Sequence, residues 1–504
     1  MYQEILITCE SQEKRVAILE GRSLEEFYVE RQGAQRSVGN IYKGVVNSIV
    51  PGIGAAFVNI GLEKNGFLYV QDLTLPDYEK IAELVDRSYV YEGAIANNNA
   101  KRQPDIKDML KMGQEIMVQL VKEPLGTKGA RLTTNISLPG RYLVLMPQAS
   151  HVGISRRIQD NKERQRLREL LKGIKLPPNM GMIVRTAGCG ANKREFLQDL
   201  RYLMGLWRKI RNTFNRKTAP SLAHEEYDLV LRVIRDSFTA QANRLLVDSK
   251  QEYKRIMHFL NIVAPSLKNR VHYYTQDVPL FEKKGVEDEI AKIHDRKVNL
   301  KSGGYITIDP TEALVAIDVN SGRFTRKKDP EETATMVNLE AAREIARQVR
   351  LRDIGGIIII DFIDMKSRRN RNKVLDTLSS ALKRDHHAKT DISNVSELGL
   401  VEMTRQRVRK SLESVVYQTC SYCQGRGLVK SSATMSIMAL RKIKKVLQTN
   451  KKKTILVFAH PEVASYLVNE HRLALAELEN KFRAKVLIKQ DTGLHVEKLT
   501  IEPV

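Results

Sequence analysis

The sequence predicts a multidomain protein of mixed α+β and α/β class. Three observations carry that expectation. The chain has 504 residues, 42% of them hydrophobic, which is enough for several compact domains and too apolar for a disordered polymer. Short alternating strands broken by Gly and Pro fill 39–73, whereas helical periodicity dominates 160–175, 192–217 and much of 223–262. Strand–helix–strand patterns then occupy 303–367 and 454–501.

Taken in order, residues 2–8 and 15–20 alternate like a short strand pair. "GNIYKGVVNSIVPGIGAAFVNIGLEKNGFLYVQDL" (39–73) is interrupted at Pro51, Gly52, Gly54, Gly61, Asn65 and Gly66, a spacing that suits a small curled barrel. A polar stretch at about 87–108 reads as a loop, and 113–147 returns to strand. Through Gly44-Val45-Val46, Gly54-Ala55-Ala56-Phe57-Val58, Gly61 and Gly66-Phe67-Leu68, this region resembles the S1 RNA-binding domain, an OB-fold barrel. Phe57 and Phe67 fall on neighbouring strands, where their rings can form a platform for unpaired bases. Such stacking contributes roughly 1–3 kcal/mol per base and tolerates any sequence. Lys43, Lys122 and Lys128 would supply phosphate contacts. The competing reading makes both phenylalanines core.

Charge favours the RNA reading. Lys and Arg number 83 against 59 acids, a formal charge of +24, and the pI is about 9.7. Such an excess fits a polyanion partner, although a basic surface without specific meaning gives the same count. Four cysteines in 504 residues, two of them isolated, argue against a disulfide framework and for a reducing compartment. No signal-peptide core opens the chain, and no apolar run approaches the ~18 residues of a membrane helix. The expectation is a cytoplasmic protein.

The chemistry lies further on. "GGYITIDPTEALVAIDVNSGR" (303–323) reads as a hairpin around Asp309 and Pro310, with Asp318 and Asn320 on one face of its second strand. An amphipathic helix (about 331–352) leads to "GGIIIIDFIDMKS" (355–367). Four consecutive isoleucines call for burial on both faces, hence a central strand with Asp361 at its C-terminal end. A strand–helix–strand unit brings Asp318 and Asp361 side by side. Adjacent carboxylates repel unless a cation sits between them, and oxygen ligands suit Mg²⁺ or Mn²⁺. Beside an RNA-binding barrel, such a site suggests phosphodiester hydrolysis, with Asn320 orienting Asp361 or the phosphate. Lys389 and "TRQRVRK" (404–410) are candidates for positive charge near the transition state. The plainer alternative is that both acids cap strands. "GMIVRTAGCG" (181–190) is a strand running into Arg185, Thr186 and a glycine turn, a small anion pocket if its backbone amides are free.

"YQTCSYCQGRG" (417–427) supplies two ligands of a four-ligand zinc knuckle. Cys9 and Cys189 are singletons, and the adjacent His386 and His387 point apart and rarely chelate together. Three readings of Cys420 and Cys423 remain: a redox pair, a catalytic zinc with unrecognised partners, or a half-site completed by a second copy. Nothing near the pair reads as a thioredoxin-like unit.

Together with "KGARLTTNISLPGRYLVLMP", "GISRRI", "VRTAG", "EALVAIDVNSGR", "IIIIDFIDM" and "LGLVEMTRQR", these stretches resemble the bacterial ribonuclease E/G endoribonucleases, collinearly over nearly the whole chain. The resemblance implies an RNase H-like fold lacking its own active site (1–35 and 230–293). Inserted in it are an S1 domain (36–133) and a 5′-sensor (134–229). A DNase I-like catalytic domain (294–415), a zinc-link (416–430) and a small C-terminal α/β domain (431–504) follow. It implies Asp318 and Asp361 as Mg²⁺ ligands assisted by Asn320. Gly140, Val144, Arg185 and Thr186 match a pocket for a 5′-monophosphate, and Phe57, Phe67, Lys122 and Lys128 match RNA-binding positions. Cys420 and Cys423 match a half-site whose Zn²⁺ joins two protomers in a homodimer, with pairing of dimers left open. Ser421 stands where the family usually has proline. The implied activity is Mg²⁺-dependent cleavage of single-stranded RNA, stimulated by a 5′-monophosphate, in rRNA and tRNA processing and mRNA decay. Since the chain ends at Val504 after a compact tail, it resembles members without a long disordered scaffold. A non-catalytic S1-type RNA-binding protein on the same fold is the alternative.

Overall fold

The structure is a computed structural model that describes residues 2–31, 33, 37–73, 105–124, 129–149, 152–155, 158, 160–322, 330–385, 388–396, 399–406, 412, 416–449 and 453–504. Its chain forms two compact units, Met1–Val415 and Val416–Val504. Lys128, His386, His387 and the 407–410 part of the basic run lie outside the described residues.

The first unit begins with a five-stranded sheet in the order Val271–Tyr273, Ala242–Val247, Gln3–Cys9, Glu13–Glu20, Ser23–Arg31. Gln3–Cys9 runs parallel to Ala242–Val247 and antiparallel to Glu13–Glu20. Ile5, Ile7, Val16 and Ile18 pack under the helices Leu229–Ser237 and Lys250–Val263. Leu6, Ala17, Leu19 and Leu24 face Leu280, Phe281 and Leu351 on the other side. The strand Ser23–Arg31 escapes a reading by alternation, because its acids break the pattern. Tertiary partners explain them: Glu25 pairs with Arg350, and Glu30 accepts the Leu229 N–H at 2.9 Å.

Between the two halves of that sheet, five strands close a barrel: Ile41–Val50, Ala55–Asn59, Gly66–Tyr69, Arg131–Thr133 and Glu115–Lys122, the last pairing back onto the first. Val46, Ala56, Val58, Leu68, Val118 and Leu132 fill it. The barrel bends tightly at Gly44, where a Cβ would stand 2.6 Å from a Val58 methyl and 3.1 Å from the Asn59 carbonyl. A four-stranded sheet follows, ordered Val152–Ile154, Gly181–Val184, Leu143–Met146, Leu138–Pro139. The helices Asn161–Lys172 and Lys193–Arg216 cover it through Leu167, Phe196, Leu203 and Trp207.

The sheet that carries the acids has six strands: Lys297–Asn299, Tyr305–Pro310, Leu314–Asn320, Gly356–Asp361, Leu400–Arg405 and Thr390–Val395. The helices Pro330–Leu351 and Arg368–Leu382 bury one face of it, against Ile317, Val319, Ile358, Ile360 and Met403. Two expectations change here. The isoleucine strand is central but buried on one face only, since Ile358 and Ile360 are fully buried while Ile357 is 50% exposed. The hairpin turn falls at 311–313, after Asp309 and Pro310, which pair with Ala316 and Val315 inside the ladder. Thr311 closes that turn by donating from Oγ1 to the Leu314 carbonyl at 2.8 Å.

The second unit has a three-stranded sheet ordered Lys485–Gln490, Thr454–Ala459, Leu499–Pro503, with the helices Ser432–Thr449, Pro461–Asn469 and Arg472–Phe482. Ile443, Leu447, Ile455, Val457 and Leu467 form its core. No helix among the described residues is long and apolar enough to cross a membrane.

Candidate active site

Leu314–Asn320 alternates strictly: Val315, Ile317 and Val319 are buried, while Ala316 and Asp318 are exposed. Asp318 and Asn320 therefore share the open face, and Asn320 donates from Nδ2 to Asp318 Oδ2 at 2.7 Å. Gly356–Asp361 lies beside it in parallel, with Asp318 opposite Asp361 in register. Asn320 thus orients Asp318, where the sequence reading had it serve Asp361 or the phosphate. Burial, with Asp318 and Asp364 nearby, pushes the Asp361 carboxyl above its ordinary value. A divalent cation held between Asp318 and Asp361 would relieve the part of this that comes from the neighbouring carboxylates. The donor set fits such an ion: the two exposed carboxylates would contribute oxygens, with water or phosphate as further ligands. Among the described residues no three His, Cys, Asp or Glu converge as a metal group.

The segment leaving Asp361 is clamped by the helix Pro330–Leu351. Asn338, fully buried, donates from Nδ2 to the Ile363 carbonyl at 2.8 Å and accepts the Ile363 N–H at 3.1 Å. Glu331 accepts from the Lys366 and Ser367 N–H groups at 2.9 and 3.1 Å and from Asn370 at 2.8 Å. Sequence reasoning missed both. The available signal was an Asn on the apolar face of a helix, where propensity disfavours it.

The basic candidates behave differently. Arg405 shares the buried face with Val401 and Met403, and its guanidinium pairs with Asp385 at 2.8 Å and Asp353 at 2.7 Å. It braces the sheet from behind and does not reach the open face. Lys389 is exposed, 3.4 Å from Asp391.

In the barrel, Phe57 and Phe67 oppose each other across neighbouring strands, with ring centroids 5.1 Å apart, edge to face. Phe67 also meets Tyr69 at 4.5 Å, and Arg131 lies 5.5 Å over the Tyr69 ring. Tyr69 is 39% exposed and extends the platform to three rings. The signal for it was the i, i+2 spacing from Phe67. Lys122 is exposed on the strand Glu115–Lys122, opposite Arg131 in register. Lys43 corrects the sequence reading: it is buried, pairs with Glu115 at 2.7 Å, donates to the Lys217 carbonyl at 3.0 Å and lies 5.0 Å over the Phe214 ring. It fastens the barrel to the helix Lys193–Arg216.

The anion pocket is also more committed than its sequence suggests. Arg185 is buried, donates to the Gly140 carbonyl at 2.5 Å and pairs with Asp236 at 2.6 Å. Arg235 bridges Asp236 at 3.0 Å and Glu226 at 2.7 Å. Burial alone would raise the Asp236 carboxyl, but the Arg185 and Arg235 guanidinium groups hold it well below its usual range. Of the turn's own amides, that of Gly190 donates to Glu163 Oε1 at 2.8 Å. Asp199, fully buried, accepts from the N–H groups of Arg141, Tyr142 and Leu143 at 3.1, 2.8 and 2.9 Å. Those of Gly188 and Cys189 close the turn after Arg185. Thr186 is half-buried at the start of that turn, and Val144 is buried opposite Ile183. Gly140 and Arg185 are therefore brought together, around carboxylates that the sequence did not reveal.

In the second unit Cys420 is exposed and Cys423 partly so. The Gly427 N–H donates to Cys423 Sγ at 3.4 Å, and Gln424, Gly425 and Gly427 adopt positive φ around the thiols. The N–H groups of Cys423 and Tyr422, then the Cys423 side chain, lower the Cys420 thiol. Amide donors aimed at sulfur are what a cysteine pair able to supply two ligands to a metal ion would need.

This barrel, platform and acid pair belong to a recognisable class. Residues 137–408 match the family described as the ribonuclease E/G family, and 419–504 match one described as an RNase E/G thioredoxin-like domain. The chain belongs to the ribonuclease E/G family. It is 42% identical over 482 residues to ribonuclease G of Escherichia coli (strain K12), covering 95% of each chain. With ribonuclease G of Haemophilus influenzae it shares 40% over 500 residues, 99% of each. With ribonuclease E of the same organism it shares 38% over 502 residues, 99% of this chain but 52% of that protein. Among these relatives the end-to-end matches make it most like ribonuclease G. The thioredoxin-like match overturns the expectation that no such unit adjoins the cysteines. Sequence alone hid it because Cys420 and Cys423 sit in a turn and the first helix begins only at Ser432, so the thiols are not at a helix N-terminus.

Proposed function

We propose that the chain is an endoribonuclease that cleaves single-stranded RNA in a Mg²⁺-dependent reaction, using Asp318 and Asp361 as the metal-holding pair. The observation that carries this reading is their in-register juxtaposition on the open end of two parallel strands. A bound Mg²⁺ would polarise the scissile phosphate and lower the pKa of a water. The protein's own part is positional. Asn320 fixes one carboxylate of the pair, Asn338 and Glu331 hold the segment beyond the other, and the Phe57, Phe67 and Tyr69 rings receive bases irrespective of sequence. Lys122 and Lys128 contact phosphates.

The reading extends to stimulation by a 5′-monophosphate through Gly140, Val144, Arg185 and Thr186, with roles in rRNA and tRNA processing and mRNA decay in the cytoplasm. Cys420 and Cys423 from each of two chains hold one structural Zn²⁺ in a homodimer. The test is incubation with a single-stranded RNA bearing a 5′-monophosphate or a 5′-hydroxyl, with and without Mg²⁺. Cleavage should require Mg²⁺ and run faster on the monophosphate. Metal-independent cutting would contradict the carboxylate reading, and equal rates would contradict the sensor.

A further inference from the structure

The helix Lys193–Arg216 buries Phe196, Leu200, Leu203, Trp207 and Ile210. Its outer face carries Arg194, Arg201, Arg208 and Arg216, spaced seven, seven and eight residues apart, which the 3.6-residue period sets in one row. Lys209 and Arg211 flank that row, and all six side chains are exposed. The helix's two acids do not offset them. Glu195 closes the capping box with Asn192, and Asp199 is buried on peptide N–H groups. Among the described residues, Arg194, Arg208, Lys209, Arg211 and Arg216 have no carboxylate partner. Some exposed arginines elsewhere are paired, as Arg166 is with Glu163, Arg255 with Asp228 and Arg296 with Asp309; what sets this helix apart is the spacing of its cations in one row. Between the cations lies an open depression lined by Gly205, Arg208, Lys209, Asn212, Thr213 and Arg216. A Cβ on Gly205 would meet nothing within 4 Å, so another backbone can approach closely there.

We propose that this helix face is a second RNA-binding surface, apart from the ring platform and the acid pair, which holds the phosphodiester backbone of single-stranded RNA. Successive arginines stand ~10 Å apart along the axis and the row runs for ~33 Å, so its charges cannot converge on one small anion. They match a polyanion laid along the helix, and Asn212 and Thr213 add hydrogen-bonding groups between the cations. The row is rigid. The capping box fixes its start, and near its end Phe214 lies under the buried Lys43 of the barrel. The choice of RNA as the polyanion rests on the endoribonuclease reading.

The test compares an Arg194→Gln, Arg201→Gln, Arg208→Gln, Arg216→Gln variant with its parent, both carrying Asp318→Asn so that RNA stays intact. Arginine and glutamine have similar helix propensity, and circular dichroism checks that the fold is kept. Filter binding is run across a salt series with a 5′-hydroxyl oligouridylate that fills only the barrel and with one long enough to span the row. For the long RNA, the slope of log K against log salt should fall by about 2–3, from ~0.7 for each phosphate that is no longer neutralised, and binding should weaken at least ~10-fold. Binding of the short RNA should not change. An unchanged slope, or an equal loss for both lengths, overturns the proposal. A wild-type enzyme that failed to cleave in Mg²⁺ would defeat the acid-pair reading instead and leave this binding result standing.

Discussion

Asp318 and Asp361 face each other in register across two parallel strands joined by the helix Pro330–Leu351. Their alignment is enforced from below. Val315, Ile317 and Val319 on one strand and Ile358 and Ile360 on the other are buried against the helices. A slip of one residue in either strand would turn its acid into that core and its isoleucines into solvent. The hydrophobic pattern, not any contact between the acids, holds two repelling carboxylates together.

Stability should therefore respond to Mg²⁺. An acid whose pKa is raised in the fold is less readily ionised there than in the unfolded chain. Its destabilising effect is absent below the unfolded value and complete above the folded one. At pH 8 without Mg²⁺, Asp361→Asn is expected to melt above wild type. Added Mg²⁺ should raise the Tm of wild type and barely move that of the variant. Thermal melts with equal Mg²⁺ responses in both proteins would contradict this.

The three-ring platform predicts graded losses in RNA affinity. Tyr69→Ala, Phe57→Ala and Phe67→Ala should each weaken binding of a single-stranded oligonucleotide by about 1–3 kcal/mol, similarly for uridine and adenosine tracts. Tyr69 is the most exposed ring and should lose affinity with the least change in melting temperature. Fluorescence anisotropy reads the first effect and thermal melting the second.

Asp236 should be a stability residue. Asp236→Asn leaves Arg185 and Arg235 buried around a neutral amide, and breaking such a pair costs about 3–5 kcal/mol. The lowered carboxyl contributes stability above its unfolded pKa, and that contribution is lost as pH falls through the folded value. Urea titrations should show the full deficit at pH 7 and a shrinking one below about pH 4.

Zinc content tests the cysteine half-site. Half an equivalent of Zn²⁺ per chain is expected, and a Cys420→Ser, Cys423→Ser variant should be zinc-free and monomeric by light scattering. One zinc per chain, or an oligomeric variant, would place the missing ligands within the chain.

The acid pair was legible because one strand is an apolar run ending in Asp361 and the other alternates to place Asp318 near its C-terminal end, so strand direction and helix crossover brought the two together. Arg405 was legible in principle, since period two aligns it with Val401 and Met403, but its charge suggested an outward face. The buried ion pairs of Lys43 and Arg185 were not legible. Their partners, Glu115 and Asp236, are distant in sequence, and only tertiary packing brings them together. Asn338 was hidden for the same reason, its partner being the backbone of Ile363 rather than a side chain.

The most direct measurement is the cleavage rate of a single-stranded RNA in Mg²⁺ by wild type, Asp318→Asn and Asp361→Asn, alongside RNA binding by the same proteins. Each substitution is expected to lower the rate by at least ~100-fold, as loss of several kcal/mol of metal-assisted stabilisation requires, while affinity stays within about twofold. Either variant cutting at the wild-type rate would show that the reaction does not run through the pair formed by Asp318 and Asp361.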